Sequence, residues 1–240
     1  MQAAGARLTP ADMDFAHVTT WVFDLDNTLY DPEAQLFAQI EQRMSAYVTR
    51  ELGVAAPEAA RLRDHWWRAH GTTLKGLMDN HGIDPLPYLA EVHDIDFSVL
   101  TPDPDLSAAI AALPGRKIVH TNADADYAVK VLRHRGIDAF DAVYGIAETG
   151  FHPKPDARAF AAVIAIDGFD PARAAFFEDD PRNLLEPHAL GMQTVLVGAG
   201  RHGPDLLADD HDHGVHVGHR TRDLIGFLRA LVPAQPGVAD

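Results

Sequence analysis

Five short apolar runs, the first of them closing on a carboxylate, constrain the fold of this chain more than any other feature. They are residues 20–24 (Thr-Trp-Val-Phe-Asp), 117–120 (Lys-Ile-Val-His), 142–144 (Ala-Val-Tyr), 174–177 (Ala-Ala-Phe-Phe) and 194–197 (Thr-Val-Leu-Val). Between the later runs, stretches near 124–135, 156–167 and 182–190 carry helical patterns. Apolar strands alternating with helices of this length predict a parallel α/β sheet covered on both faces. Ligands of such sheets bind beyond the carboxyl ends of the strands, so the polar residues just after those ends are where chemistry is sought.

Residues 32–103 break this rhythm. Asp31-Pro32 is a good helix opening, because Asp can cap the first amides and Pro is pre-set for the first turn. Leu36, Phe37, Ile40, Met44, Tyr47 and Val48 follow at helical spacing, and Gly53 offers a stop. Further helical segments lie near 57–69, 73–80 and 86–93, and the Pro- and Asp-rich stretch 101–105 reads as a return linker. The predicted architecture is a Rossmann-like parallel sheet core, residues 1–31 and 104–240, with an all-helical cap domain, residues 32–103, inserted after the first strand. Residues 1–18 and 233–240 read as loosely held tails.

The stretch Phe23-Asp24-Leu25-Asp26-Asn27-Thr28-Leu29 carries the most chemistry. A turn alone would account for Asp, Asn and Thr there. The chemical alternative is two carboxylates near one phosphorus, one to attack and one to exchange a proton with the leaving oxygen. Such a pair requires a metal, because carboxylates and a phosphate dianion repel. The later strand ends supply matching parts. Thr121 and Asn122 offer a hydroxyl and amides for phosphoryl oxygens, and Lys154, between Pro153 and Pro155, offers a fixed positive charge. Glu178-Asp179-Asp180 and the later Asn183 are oxygen donors of the kind Mg²⁺ prefers.

In this order the motifs Asp24-x-Asp26-x-Thr28, Thr121, Lys154 and Glu178-Asp179-x-x-x-Asn183 resemble those of haloacid dehalogenase superfamily hydrolases over residues 20–230. The resemblance implies that Asp24 attacks phosphorus and Asp26 is the general acid and base. It implies that Thr28, Thr121 and Lys154 hold the phosphoryl group. Mg²⁺ would be bound by Asp24, the Asp26 carbonyl and Asp179, with Glu178 and Asn183 in support. Three consecutive acids leave the register of the direct ligand open; Asp179 is favoured because Asn183 falls four residues later. Asp26 points to phosphomonoester hydrolysis or phosphoryl mutation, since halide leaves without a proton.

The stretches Asp24–Tyr30, Gly71–Leu77, His81–Asp84 and Val92–Asp96 are similar to the pyrimidine 5'-nucleotidase branch, which implies nucleoside monophosphates such as UMP and CMP as substrates. A sugar-phosphate phosphatase and a phosphosugar mutase share the core motifs and remain alternatives. Thr72 and Thr73 read either as helix caps or as substrate-facing residues, and Trp66-Trp67 either as packing or as an aromatic platform.

Composition narrows the partners. The chain has 20 lysine and arginine residues against 35 aspartate and glutamate, a net charge of −15. Such a surface repels nucleic acid and anionic lipid and poorly suits an anionic small substrate, so the small phosphorylated metabolite that the motifs imply as partner needs a locally positive site. The absence of cysteine excludes disulfides and thiolate chemistry. No apolar run has transmembrane length, and the start does not read as a signal peptide, so a cytoplasmic location is expected. The histidines at 211, 213, 216 and 219 read as a solvated loop.

Overall fold

A computed structural model of the chain describes residues 15–198 and 214–232. Six parallel strands form one sheet: β1 (Thr20–Phe23), β2 (Arg116–His120), β3 (Ala142–Tyr144), β4 (Ala174–Glu178), β5 (Gln193–Val197) and β6 (His219–Thr221), in the order β3-β2-β1-β4-β5-β6. Alternation along each strand builds two cores. Trp21 and Phe23 of β1, Val119 of β2, Phe177 of β4 and Val195 of β5 face one cluster. Val22, Ile118, Phe176 and Leu196 face the other. Apolar residues on both sides are what a parallel sheet covered by helices requires.

Between β1 and β2 the chain makes α1 (Leu36–Leu52), α2 (Ala56–His70), α3 (Thr73–His81), α4 (Pro85–Val92) and α5 (Pro104–Ala111), with no strand. Helices α6 (Ala125–Arg135), α7 (Ala157–Asp167), α8 (Leu185–Ala189) and α9 (Leu224–Leu231) lie along the rest. No described helix is long and apolar enough to cross a membrane.

The structure departs from sequence expectation in detail. Asp31 caps as expected, accepting from the Glu33 amide, but it opens only a 3-10 turn over Pro32–Ala34. Gln35 then adopts φ 59°, and α1 starts afresh at Leu36. The helix expected at 182–190 divides into a 3-10 turn, Pro181–Leu184, and α8. The solvated-loop reading also fails at its end: His219 lies in β6, a polar edge strand aligned by β5 and by the Gly218 amide donating to Thr194 Oγ1. His211 and His213 lie outside the described residues.

The strand order reverses between β1 and β4, which places a crevice beyond their carboxyl ends. Asp24 follows β1 and Glu178 ends β4.

Candidate active site

Asp24 extends the sheet ladder by one bond, its amide donating to the Phe177 carbonyl at 2.8 Å. The chain then turns tightly, with Asn27 at φ 60° and the Leu29 amide returning to the Leu25 carbonyl. This turn buries Asp24 and Thr28 and leaves Asp26 half-buried. Thr28 Oγ1 donates to Asp24 Oδ2 at 3.2 Å.

Lys154 is 1% exposed, and its Nζ meets three acceptors. They are Asp24 Oδ1 at 2.6 Å, Glu178 Oε2 at 2.7 Å and the His120 carbonyl at 2.9 Å. Three donors on one ammonium are thus matched to three oxygens. The lysine owes its position to Asn122, whose carboxamide bonds both the N–H and the carbonyl of Lys154. Asn122 and Thr121 both line the cavity. Thr121 Oγ1 accepts from the Ala123 amide, so its own proton is left for another partner.

Asp26 is held differently. Tyr30 Oη donates to its Oδ1 at 2.6 Å, and Tyr127 Oη donates to the same oxygen at 2.7 Å. The match of Tyr127 to a carboxylate 101 residues away has no local sequence signal. Tyr30 sits four residues after Asp26 and could have been found by spacing.

The electrostatics are dominated by desolvation. Burial pushes the Asp24 carboxyl up to about 6, the charge of Glu178 adds to the rise, and Lys154 opposes it. Asp26 also rises to about 6, by burial first and then by the charge of Asp24, with the two phenols opposing. It keeps some surface open to the cavity, yet lies deep enough for desolvation to win. Glu178 is raised, again chiefly by burial.

A cavity of about 380 Å³ opens over these groups, within the usual size of a small-molecule site. Its floor is Asp24, Asp26, Thr121, Asn122, Glu178, Asp179 and Asn183, and its opposite wall comes from α1, α2, α3 and α4. Thr72 and Thr73 belong to that wall. Thr72 also caps α3, accepting from the Lys75 amide at 3.1 Å, so the cap reading holds for a residue that lines the cavity as well. Trp66 is core, 2% exposed. Trp67 lines the cavity and carries the Arg182 guanidinium 3.5 Å above its ring. Gly71, at φ +85°, lets the α2–α3 turn approach the Pro153–Lys154 loop; a Cβ there would lie 3.0 Å from the Lys154 carbonyl.

Oxygens of Asp24, Glu178 and Asp179 lie within 4.8 Å of one another. Asn183 Oδ1 is buried without a hydrogen-bond partner beside them in the same cavity floor. Three carboxylates and an orphaned carboxamide oxygen form a hard, all-oxygen donor set, which fits a divalent cation such as Mg²⁺. Asp180 is engaged elsewhere: it caps the following turn and binds Arg182 at 2.6 Å.

Residues 18–191 match the family described as haloacid dehalogenase-like hydrolase. Phosphate metabolism protein 8 of Saccharomyces cerevisiae is 29% identical over 193 residues, covering 72% of this chain and 60% of the yeast protein. The chain therefore spans about 60% of that relative's length. Among solved structures, a phosphatase from Thermococcus onnurineus superposes with a TM-score of 0.60 at 19% identity, covering 91% of this chain and 99% of that one. The L-2-haloacid dehalogenase PA0810 gives 0.56 at 21%, covering 89% and 98%. At such identities the superpositions speak for the fold.

Proposed function

The chain belongs to the haloacid dehalogenase-like hydrolases, and on that premise we propose that it is a Mg²⁺-dependent phosphomonoester hydrolase acting through an aspartyl-phosphate on Asp24, with pyrimidine nucleoside 5'-monophosphates as substrates. The observation that carries this reading is Asp26, a half-buried carboxyl in the same cavity as Asp24, fixed through one oxygen by Tyr30 and Tyr127. A halide leaves without a proton, whereas an alkoxide needs one, and Asp26 is built to provide it.

In the first step a carboxylate oxygen of Asp24 forms a bond to phosphorus as the bond to the leaving oxygen breaks. Asp26 gives that oxygen its proton. In the second step Asp26 takes a proton from water, whose oxygen attacks the phosphoryl group, releasing phosphate and restoring Asp24. Lys154 and Thr28 hold the Asp24 carboxylate in place, and the Thr121 hydroxyl is free to donate to a phosphoryl oxygen. Asp24, Asp179 and the Asp26 carbonyl would hold Mg²⁺, with Glu178 and Asn183 in support. When bound, the ion offsets repulsion between these carboxylates and the phosphate dianion. Residues 32–103 act as a cap that closes over the floor and reads the leaving group, with Thr72 and Thr73 facing it.

The test is phosphate release from UMP, CMP, AMP and GMP with Mg²⁺ and in excess chelator. UMP and CMP are expected to show the higher kcat/KM, and chelator to abolish all turnover. Equal kcat/KM for UMP, AMP and a sugar phosphate would leave a phosphatase and remove the nucleotidase assignment. No phosphate from any ester would remove both.

A further inference from the structure

Among the described residues of the helical wall of the cavity, Arg63 Nε and Tyr88 Oη are buried without a hydrogen-bond partner, as is His93 Nδ1 at the end of α4. An unpaired buried polar group costs about 1–3 kcal/mol, so these call for an explanation. Arg63, on α2, is not loosely placed. Its Nη1 donates to Ser45 at 2.7 Å and its Nη2 to Glu41 at 3.2 Å, both on α1, which fixes the guanidinium plane and leaves Nε–H over. Tyr88, on α4, is 1% exposed, and its ring is locked edge-on against Tyr47 at 4.9 Å. Burial pushes its phenol up while the charge of Arg63 pulls it back, so the hydroxyl stays protonated within the guanidinium's field.

We propose that Arg63 and Tyr88 form a hydrogen-bonding subsite for the leaving group of the substrate, reading an uncharged carbonyl oxygen such as that of a pyrimidine ring. Phe37, Ile40, Met44 and Leu89 supply apolar wall around the pair, which suits a ring inserted from the cavity. The partner is uncharged, because the charge of Arg63 is already matched by Glu41. Asp64 is itself paired with Arg68 at 3.1 Å, so a second phosphate or a carboxylate on the leaving group would find no unmatched cation in these pairs. A carbonyl acceptor gives an orphaned donor its partner without bringing in charge. A site built around such donors discriminates strongly against a leaving group that leaves them unpaired.

This subsite rests on the phosphatase reading, so the test separates the two. Steady-state kinetics with Mg²⁺ compare UMP with phenyl phosphate, whose leaving group has no carbonyl. The wild type is expected to prefer UMP. Tyr88→Phe removes only the orphaned hydroxyl. It is expected to lower kcat/KM for UMP about 10-fold, chiefly through KM, and to change phenyl phosphate less than about twofold. Its unfolding stability without substrate should be unchanged or raised, which a structural role for the hydroxyl would reverse. Arg63→Met should lower kcat/KM for UMP by about 10–100-fold with the same sparing of phenyl phosphate. Equal losses on both substrates in Tyr88→Phe, or a wild type that prefers phenyl phosphate, would overturn the subsite while leaving the phosphatase. Failure of the wild type to release phosphate from phenyl phosphate and UMP alike would overturn both.

Discussion

Asp26 receives two phenolic hydrogen bonds on a single oxygen, which leaves its other oxygen as the one able to face a reacting ester. Replacing the carboxyl by an amide keeps the shape and removes the transferable proton. Asp26→Asn is therefore expected to lower kcat for UMP by about 10²–10⁴-fold. The loss should shrink for p-nitrophenyl phosphate, whose leaving group needs little protonation; an equal loss on both would count against Asp26 as the acid. A second residue near this pair bears on stability. His93 is buried, its ring stacks on Tyr127 at 4.4 Å, and its Nδ1 has no partner. Burial, then the charge of Lys130, push its pKa from 6.5 down to about 4. Between those values the unfolded chain binds a proton that the folded one refuses, so stability is lost as pH falls from 6.5 toward 4. At pH 5 the cost is about 2 kcal/mol. His93→Phe, which keeps a ring against Tyr127, should lose about that much less stability than wild type between pH 7 and pH 5 in urea unfolding. Identical pH dependence in the two proteins would show that His93 protonates freely in the folded state.

At the scale of elements, α3 packs on α2 through a glycine. A Cβ on Gly76 would lie 2.1 Å from Trp66 Cγ and 2.4 Å from Trp66 Cβ, so no rotamer of the tryptophan relieves it. Gly76→Ala gains about 1 kcal/mol of helix propensity. Separating two packed helices costs more, and a net loss of about 1–3 kcal/mol is expected in chemical denaturation. A stabilised variant would mean that the two helices have room to part. Much at this scale was legible in the sequence. The first five strands are apolar runs whose alternation feeds two cores, and acidic caps mark helix starts: Asp84, Asp103, Asp156 and Asp223 each accept a first-turn amide. The candidate site was legible for a related reason, since Asp24, Thr121 and Glu178 follow or end strands, and Lys154 stands between two prolines just before a helix. What stayed hidden depends on distant partners. Tyr127 reaches Asp26, Asn122 grips the Lys154 backbone, and Arg182 covers Trp67 across the cavity. Strand β6 is polar, and pairing with β5 gives it strand form against its own composition.

Across the whole molecule the charge is −15, yet the placement of charge matters more than its sum. Many acids lie outside the core, matched in exposed ion pairs or serving as helix caps. The unfavourable part lies at the centre, where the carboxylates of Asp24, Asp26, Glu178 and Asp179 line one cavity and Lys154 bonds two of them, Asp24 and Glu178. Burial first, and then the charge of a neighbouring carboxylate, raises Asp24 and Asp26 to about 6, so the crowding of acids adds to the cost. A divalent ion that binds the folded site and not the unfolded chain would relieve it. At 100 times its dissociation constant such an ion adds about 2.7 kcal/mol. For a chain of this size that corresponds to a rise in Tm of about 5–10 °C. MgCl₂ is therefore expected to raise Tm by that amount over NaCl of equal ionic strength. Asp179→Asn should abolish most of the rise. Asp180→Asn should keep it, because Asp180 is spent on the turn and on Arg182, and asparagine still caps. Ca²⁺, which takes more ligands at longer distances, should stabilise the fold while supporting little phosphate release. A rise equal to that in NaCl, or one insensitive to Asp179→Asn, would remove the metal from these carboxylates; a rise lost in Asp180→Asn instead would move the direct ligand one residue along the chain.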